Sequence, residues 1–115
     1  MTNFDINTDS NIDWDTKEKQ DFLKAILSLE NKNQAKCFLR DLLTGSEIEE
    51  FSKRLLVANL LSSDVQYNTI IEETGLSSTT IARISRWLKR GTGGYKTIIS
   101  KLHHHNPTKL RKGLS

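Results

Sequence analysis

The sequence predicts an all-α protein, and three observations carry that expectation. Apolar residues recur three and four positions apart through successive segments, residues that start and stop helices punctuate those segments, and no segment shows the strict alternation of a half-buried strand. Residues 1–13, opening "MTNFDINTDSNI", have no sustained period and are expected to form a flexible arm. After Trp14, Asp15 and Glu18 have the spacing of a capping box, in which side chains satisfy the free amides of a first helical turn. Phe22, Ile26 and Leu29 then recur at helical spacing through "KEKQDFLKAILSLE". "NKN" at 31–33 interrupts, and "QAKCFLRDLL" resumes the pattern with Ala35, Phe38, Leu39, Leu42 and Leu43. Cys37, the single cysteine, lies among these apolar residues and reads as a small core residue rather than a nucleophile without a partner.

Thr44 and Glu47 form a clearer capping box, and Glu47, Glu49 and Glu50 complement the positive end of the third helix. Ile48, Phe51, Leu55 and Ala58 make one stripe of that helix, while Leu56, Val57, Leu60 and Leu61 add apolar surface on other sides. A short chain has too few partners for a helix apolar on more than one face, so part of it is expected to bury against a second copy. A short helix through "YNTIIEE" ends near Gly75, suited to the left-handed conformation that closes helices, and Ser77 is a good N-cap for the next: helix, tight turn, helix. The glycines at 91, 93 and 94 could offer N–H groups to phosphate, although a joint between helices is the simpler reading. "YKTIISKL" is a last helical piece, giving a folded domain over 14–103 and a flexible basic tail over 104–115.

A chain of 115 residues fits one domain and is too short for a catalytic domain beside a binding domain. With 36% hydrophobic and 27% charged residues, it has no apolar run approaching the roughly 18 residues of a membrane span and no export leader, so a cytoplasmic protein is expected. The net charge of +3 conceals a sorting along the chain: residues 1–31 hold seven acids and three bases, 32–82 seven acids and five bases, and 83–115 nine bases and no acid. A segregated basic end can attract a polyanion, or be a solvated tail, and composition alone does not choose between them.

The segment "GLSSTTIARISRWLKRG" at 75–91 does more to choose. At about 100° per residue from Thr79, Arg83, Arg86 and Arg90 fall at about 40°, 340° and 20°, whereas Ile81, Ile84 and Leu88 fall at about 200°, 140° and 180°. The arginines share a narrow stripe opposite the apolar one. Ser77, Ser78, Thr79 and Thr80 occupy the N-terminus, where small hydroxyl side chains permit close approach to a DNA major groove. A merely solvated face would more often mix Glu with Lys, and no acid follows Glu73. A protein-interaction module built on the same helix pair is the other reading. His103, His104 and His105 are consecutive and lack the spacing that turns two imidazoles toward one metal. No catalytic arrangement and no phosphate-binding Gly-Lys loop stands out, which points away from an enzyme.

"FLRDLLTGSEIEEFSKRLLVANLL", followed by "TIIEETGLSSTTIARISRWLKRGTGGY", resembles the Trp repressor family, in particular its YerC-type branch. The resemblance covers roughly residues 34 to 95, and its most specific parts are "LLT..E", Arg54 and "G.S..TI.R.S..L". It implies an intertwined homodimer of about six helices per chain, with helices four and five as the unit that reads double-stranded DNA. Under this resemblance Gln66, Tyr67, Asn68 and Thr69 touch phosphates or an outer base. Ser77, Ser78, Thr79 and Thr80 contact bases and backbone in the major groove, and Arg86, Lys89 and Arg90 hold phosphate. The implied function is a sequence-specific transcriptional regulator, a repressor, reading an operator through the helix at about 78–90.

The family's ligand-responsive repressor binds L-tryptophan between its core and its reading helix. Carried over by position, that pocket maps to Asp41, Leu43, Thr44, Arg54, Arg83, Ile84 and Trp87. Thr44 and Arg54 match, and Arg83 matches an arginine that stacks on the indole, leaving its role divided between ligand and DNA. Ile84 stands where the family has a glycine lining the indole slot, Trp87 where it has a serine, and Asp41 where it has a leucine. Such bulk removes the volume an indole needs. The expectation is therefore a regulator that does not use L-tryptophan and needs no cofactor, its effector unknown. Trp87 either fills the vacated space or is a core or interface aromatic.

Overall fold

The computed structural model describes residues 11–105, and all regular structure among them is helical. The helices are α1 (Lys17–Leu27), α2 (Lys32–Leu42), α3 (Gly45–Ser62), α4 (Tyr67–Thr74), α5 (Ser78–Arg90) and α6 (Gly94–His105). This is the expected all-α architecture of about six helices. The chain divides at Phe51, within α3, into two compact units. The arm through residue 10 and the tail from 106 lie outside the described residues. No helix among the described residues is long and apolar enough to cross a membrane.

In the first unit, three local caps set the helix starts. The cap of α1 is Thr16, not the expected Asp15: Thr16 has extended backbone and its hydroxyl accepts the Lys19 N–H at 3.4 Å. Asp15 is held one residue earlier in a turn, its own N–H donating to Asp13 Oδ1 at 3.0 Å. Asn31 caps α2 by accepting the Gln34 N–H at 2.9 Å, and the Gln34 side chain accepts the Glu30 N–H at 3.0 Å, so the "NKN" interruption is a helix start. At α3 the expected box forms in both directions, Glu47 N–H to Thr44 Oγ1 at 3.1 Å and Thr44 N–H to Glu47 Oε1 at 2.9 Å. Packing within this unit is thin, since none of residues 11–51 is buried. Cys37, expected in a core, is exposed, on a helix with no buried residue: apolar neighbours along the helix do not by themselves enclose a side chain.

The second unit holds the core. Val57 and Ala58 of α3, Ile70 of α4, Ile81, Ile84 and Leu88 of α5 and Ile99 of α6 form one buried cluster, with Leu60, Leu61, Val65, Leu76 and Tyr95 packed around it. Chain reversals here are made by backbone geometry. After α3, Asp64 takes a left-handed conformation (φ 63), and Asp64 and Val65 donate their N–H groups back to Leu61 and Leu60, a Schellman closure. After α4, Gly75 (φ 75) closes the helix with its N–H on the Ile71 carbonyl at 2.8 Å. Thr74, buried in the turn, satisfies itself by donating to the Ile70 carbonyl at 2.7 Å and accepting the Leu76 N–H at 3.2 Å. Ser77 then caps α5 by accepting the Thr80 N–H at 3.2 Å. α6 runs through His105, into the histidine run that the sequence places in the tail, and His103 Nε2 lies 3.1 Å from Asn59 Oδ1 on α3.

Candidate nucleic-acid interface

The α4–α5 pair is fixed by what it buries. Ile70 on α4 and Ile81 on α5 are fully enclosed, and Ile84, Ser85 and Leu88 continue the inward side of α5. With that side fixed, the helical period turns Ser78, Thr79, Arg83, Lys89 and Arg90 outward, and all five are exposed. Thr80 and Arg86 are partly buried at the edge of this face. The separation of a Thr/Arg stripe from an Ile/Leu stripe is thus present in the folded chain, with Arg86 closer to the protein than its place on the wheel implies.

At the start of α4, Gln66, Tyr67, Asn68 and Thr69 are all exposed. Gln66 occupies the N-cap position, but its side chain makes no capping bond. The hydroxyls at the start of α5 are more constrained. Ser77 accepts the Thr80 N–H and donates to Thr80 Oγ1 at 3.1 Å, so much of its hydrogen-bonding capacity serves the cap. No acid lies in the first turn of α5, and Lys89 and Arg90 fill its last turn, where cations complement the negative end of the helix.

The residues mapped to a ligand pocket fall in both units. In the first, Asp41 and Thr44 are exposed and Leu43 is partly buried. Thr44 is committed to its capping box. In the second, Arg54 and Arg83 are exposed, Trp87 is partly buried, and Ile84 is 4% exposed in the core cluster. Burial pushes the Tyr95 phenol above its ordinary value of 10.0, and the positive charge of Arg54 opposes that shift.

Two positions that the sequence reading did not assign to the site bear on it. Tyr95, in the first turn of α6, packs on the core. Gly91 donates its N–H to the Trp87 carbonyl at 2.8 Å, and a Cβ added at Gly91 would meet that carbonyl oxygen and lie 2.8 Å from Trp87 Cε3. Glycine at 91 is therefore required first by the backbone carbonyl of Trp87 and then by its indole. The only sequence signal was a glycine four residues after an aromatic at a helix end.

The profile of the Trp repressor protein family matches residues 17–103, extending the 34–95 resemblance in both directions. The uncharacterised protein YerC of Bacillus subtilis (strain 168) is 35% identical over 86 residues, spanning 75% of this chain and 83% of YerC. A crystal structure of a TrpR-like protein from Eubacterium eligens ATCC 27750 superposes with a TM-score of 0.74 at 36% identity, covering 77% of this chain and 92% of that one. A candidate Trp repressor from Staphylococcus aureus gives a TM-score of 0.72, also at 36% identity, over 76% of this chain and 87% of that one.

Proposed function

The chain belongs to the Trp repressor family, and from that premise we propose that it is a homodimeric, sequence-specific DNA-binding repressor whose α5 enters the operator major groove. The observation that carries this reading is the exposure of Thr79, Arg83, Lys89 and Arg90 on a helix anchored from behind by Ile81, Ile84 and Leu88. Ser78, Thr79 and Arg83 face the bases. Lys89 and Arg90, with Gln66, Tyr67, Asn68 and Thr69 from the start of α4, hold phosphates on either side, while Ser77 and Thr80 shape the helix start. The partly buried Arg86 positions the helix at its edge.

The reading includes independence from L-tryptophan. What supports it is the bulk of Ile84, a core residue, and of Trp87, beside Gly91, at positions where the family has a glycine and a serine. It also includes the dimer, supported by exposed apolar residues such as Phe22, Ile26, Leu39 and Leu42 in a unit with no buried residue.

Selection of bound fragments from the host genome, followed by fluorescence anisotropy at two salt concentrations, tests the function. A near-palindromic site with half-sites about one helical turn apart is expected, with affinity falling steeply as salt rises. Absence of binding at low salt would refute this reading and favour a protein partner for the α4–α5 surface. Isothermal titration with L-tryptophan is expected to give no heat of binding; tight binding that strengthens operator affinity would refute the occupied pocket. Sedimentation equilibrium is expected to give twice the 13.1 kDa chain mass.

A further inference from the structure

The end of the reading helix is the least obviously anchored part of the second unit. Beyond Leu88 no side chain of α5 belongs to the buried cluster, and the chain reaches α6 through Gly91, Thr92 and Gly93, the last at φ 94. A joint with two glycines leaves the backbone more freedom than bulkier residues would, so the turn itself does not fix the angle that the packing of Ile99 and Tyr95 leaves to α5 and α6. Trp87 stands where that freedom would act. Its indole lies on the Gly91 backbone so closely that a methyl group there would sit 2.8 Å from Cε3, while its carbonyl takes the Gly91 N–H.

We propose that Trp87 is a positioning residue for DNA binding: its indole wedges the Gly91–Gly93 joint and holds α5 at one angle to α6, pre-organising the reading face without a bound small molecule. The inference rests on the DNA-reading role of α5 and adds the device that orients it. Gly91 is the wedge's counterpart: a Cβ there would strike the Trp87 carbonyl oxygen first and the indole next, so the bare backbone lets both approach. Ile84 does not share this role, because it is enclosed in the core and acts by packing. Ordering the joint before the encounter removes an entropic cost from binding, so losing the wedge weakens affinity through the free protein rather than through lost contacts.

The test uses the full-length chain and the operator fragment selected with wild type, with Trp87→Ala, Trp87→Phe and Gly91→Ala compared by anisotropy and by amide hydrogen exchange. Trp87→Ala is expected to weaken operator binding about tenfold, the scale of one lost ordering term. Exchange at the amides of residues 91–94 should quicken while the amides of Val57, Ile70 and Ile81 keep their protection. Trp87→Phe, which keeps a ring over the joint, should recover most of the affinity, and Gly91→Ala, whose Cβ strikes the Trp87 carbonyl and indole together, should also lose affinity. Wild-type affinity in Trp87→Ala or Gly91→Ala overturns the proposal, as does a loss accompanied by uniformly faster exchange, which marks general destabilisation. If Trp87→Ala does not fold, Trp87→Phe and Gly91→Ala decide by the same criteria. Should wild type itself bind no DNA, the DNA-reading role fails, and the exchange comparison still decides separately whether the indole orders the joint.

Discussion

Arg90 offers the sharpest test of the proposed contact between α5 and DNA. It is exposed in the last turn, on the same side as Thr79 and Arg83, and it contributes nothing to the core cluster, so Arg90→Ala leaves the fold intact apart from one lost cation at a helix C-terminus that retains Lys89. A side chain on a phosphate releases condensed counterions on binding and adds about 0.9 to the slope of log affinity against log salt. A dimer carries the substitution twice, so the slope should become shallower by ~1.8, and a fourfold rise in salt, from ~50 to ~200 mM, should cost the variant ~12-fold less affinity than wild type. Anisotropy titrations of the selected operator and of an unrelated duplex, at four or more salt concentrations, measure both slopes. The change should be the same on both duplexes, because a phosphate contact carries no sequence information. Lys101→Ala, at an exposed position of α6, is the control and should leave the slope unaltered. An unchanged slope for Arg90→Ala would remove Arg90 from the phosphate contacts; a loss confined to the operator would make it a base reader instead.

The remaining predictions concern the frame that holds this face. Gly75→Ala forces a side chain into φ 75 and should destabilise the protein by about 1–2 kcal/mol, seen as a lower urea midpoint with unchanged slope. Thr44→Ala removes the hydroxyl acceptor of the α3 capping box and should cost about 1 kcal/mol in the same assay. Tyr95 has its phenol pKa raised by burial, so the folded state holds that proton more tightly than the unfolded chain. Its contribution is complete below the unfolded value of 10.0 and is lost as pH rises through the higher folded value. Stability should therefore fall above pH 10.0, and Tyr95→Phe should flatten that alkaline decline in urea titrations at stepped pH.

Features written in neighbouring residues were legible in the sequence. The Thr44–Glu47 box, the left-handed Gly75, the Ser77 cap and the opposed stripes of α5 each depend on spacing within one or two helical turns, and each is present in the folded chain. Failures came where distant packing or a one-residue competition decides. Thr16 displaced Asp15 as a cap because either side chain suits the position and the backbone chooses where the helix begins. Cys37 reads as a core residue from its apolar neighbours, but periodicity says which face is apolar and not whether another element covers it. Arg86 shows the same limit within the site: its angle on the wheel is right for an outward side chain, while its partial burial depends on surrounding elements. The indole's seat on Gly91 was hidden because it requires a particular rotamer and a particular turn at once.

The first unit carries the strongest argument for a second copy. α1 and α2 are 11 residues each, below the roughly 12–15 residues at which an isolated helix becomes marginal in water. Their caps at Thr16 and Asn31 add only about 1 kcal/mol apiece. What remains is apolar surface: Phe22, Ile26, Leu39 and Leu42 are exposed, Leu27 is 83% exposed, and no residue from 11 to 51 is buried. Burying a fully exposed side chain of this size is worth about 1.5–3 kcal/mol, and roughly half of that remains to be gained at the four half-exposed ones, so these faces stabilise their helices fully only once something covers them. A second copy brings the same faces by symmetry, which matches the dimer proposed for the reading of paired half-sites. If one association both completes the helices and pairs the reading faces, stability and operator affinity must share a concentration dependence. Thermal midpoints and apparent Kd should then deteriorate together as the protein is diluted through its dimer dissociation range. A Tm independent of concentration down to the nanomolar range, with DNA still bound as a single chain, would break that link and leave the apolar faces of α1 and α2 to another partner.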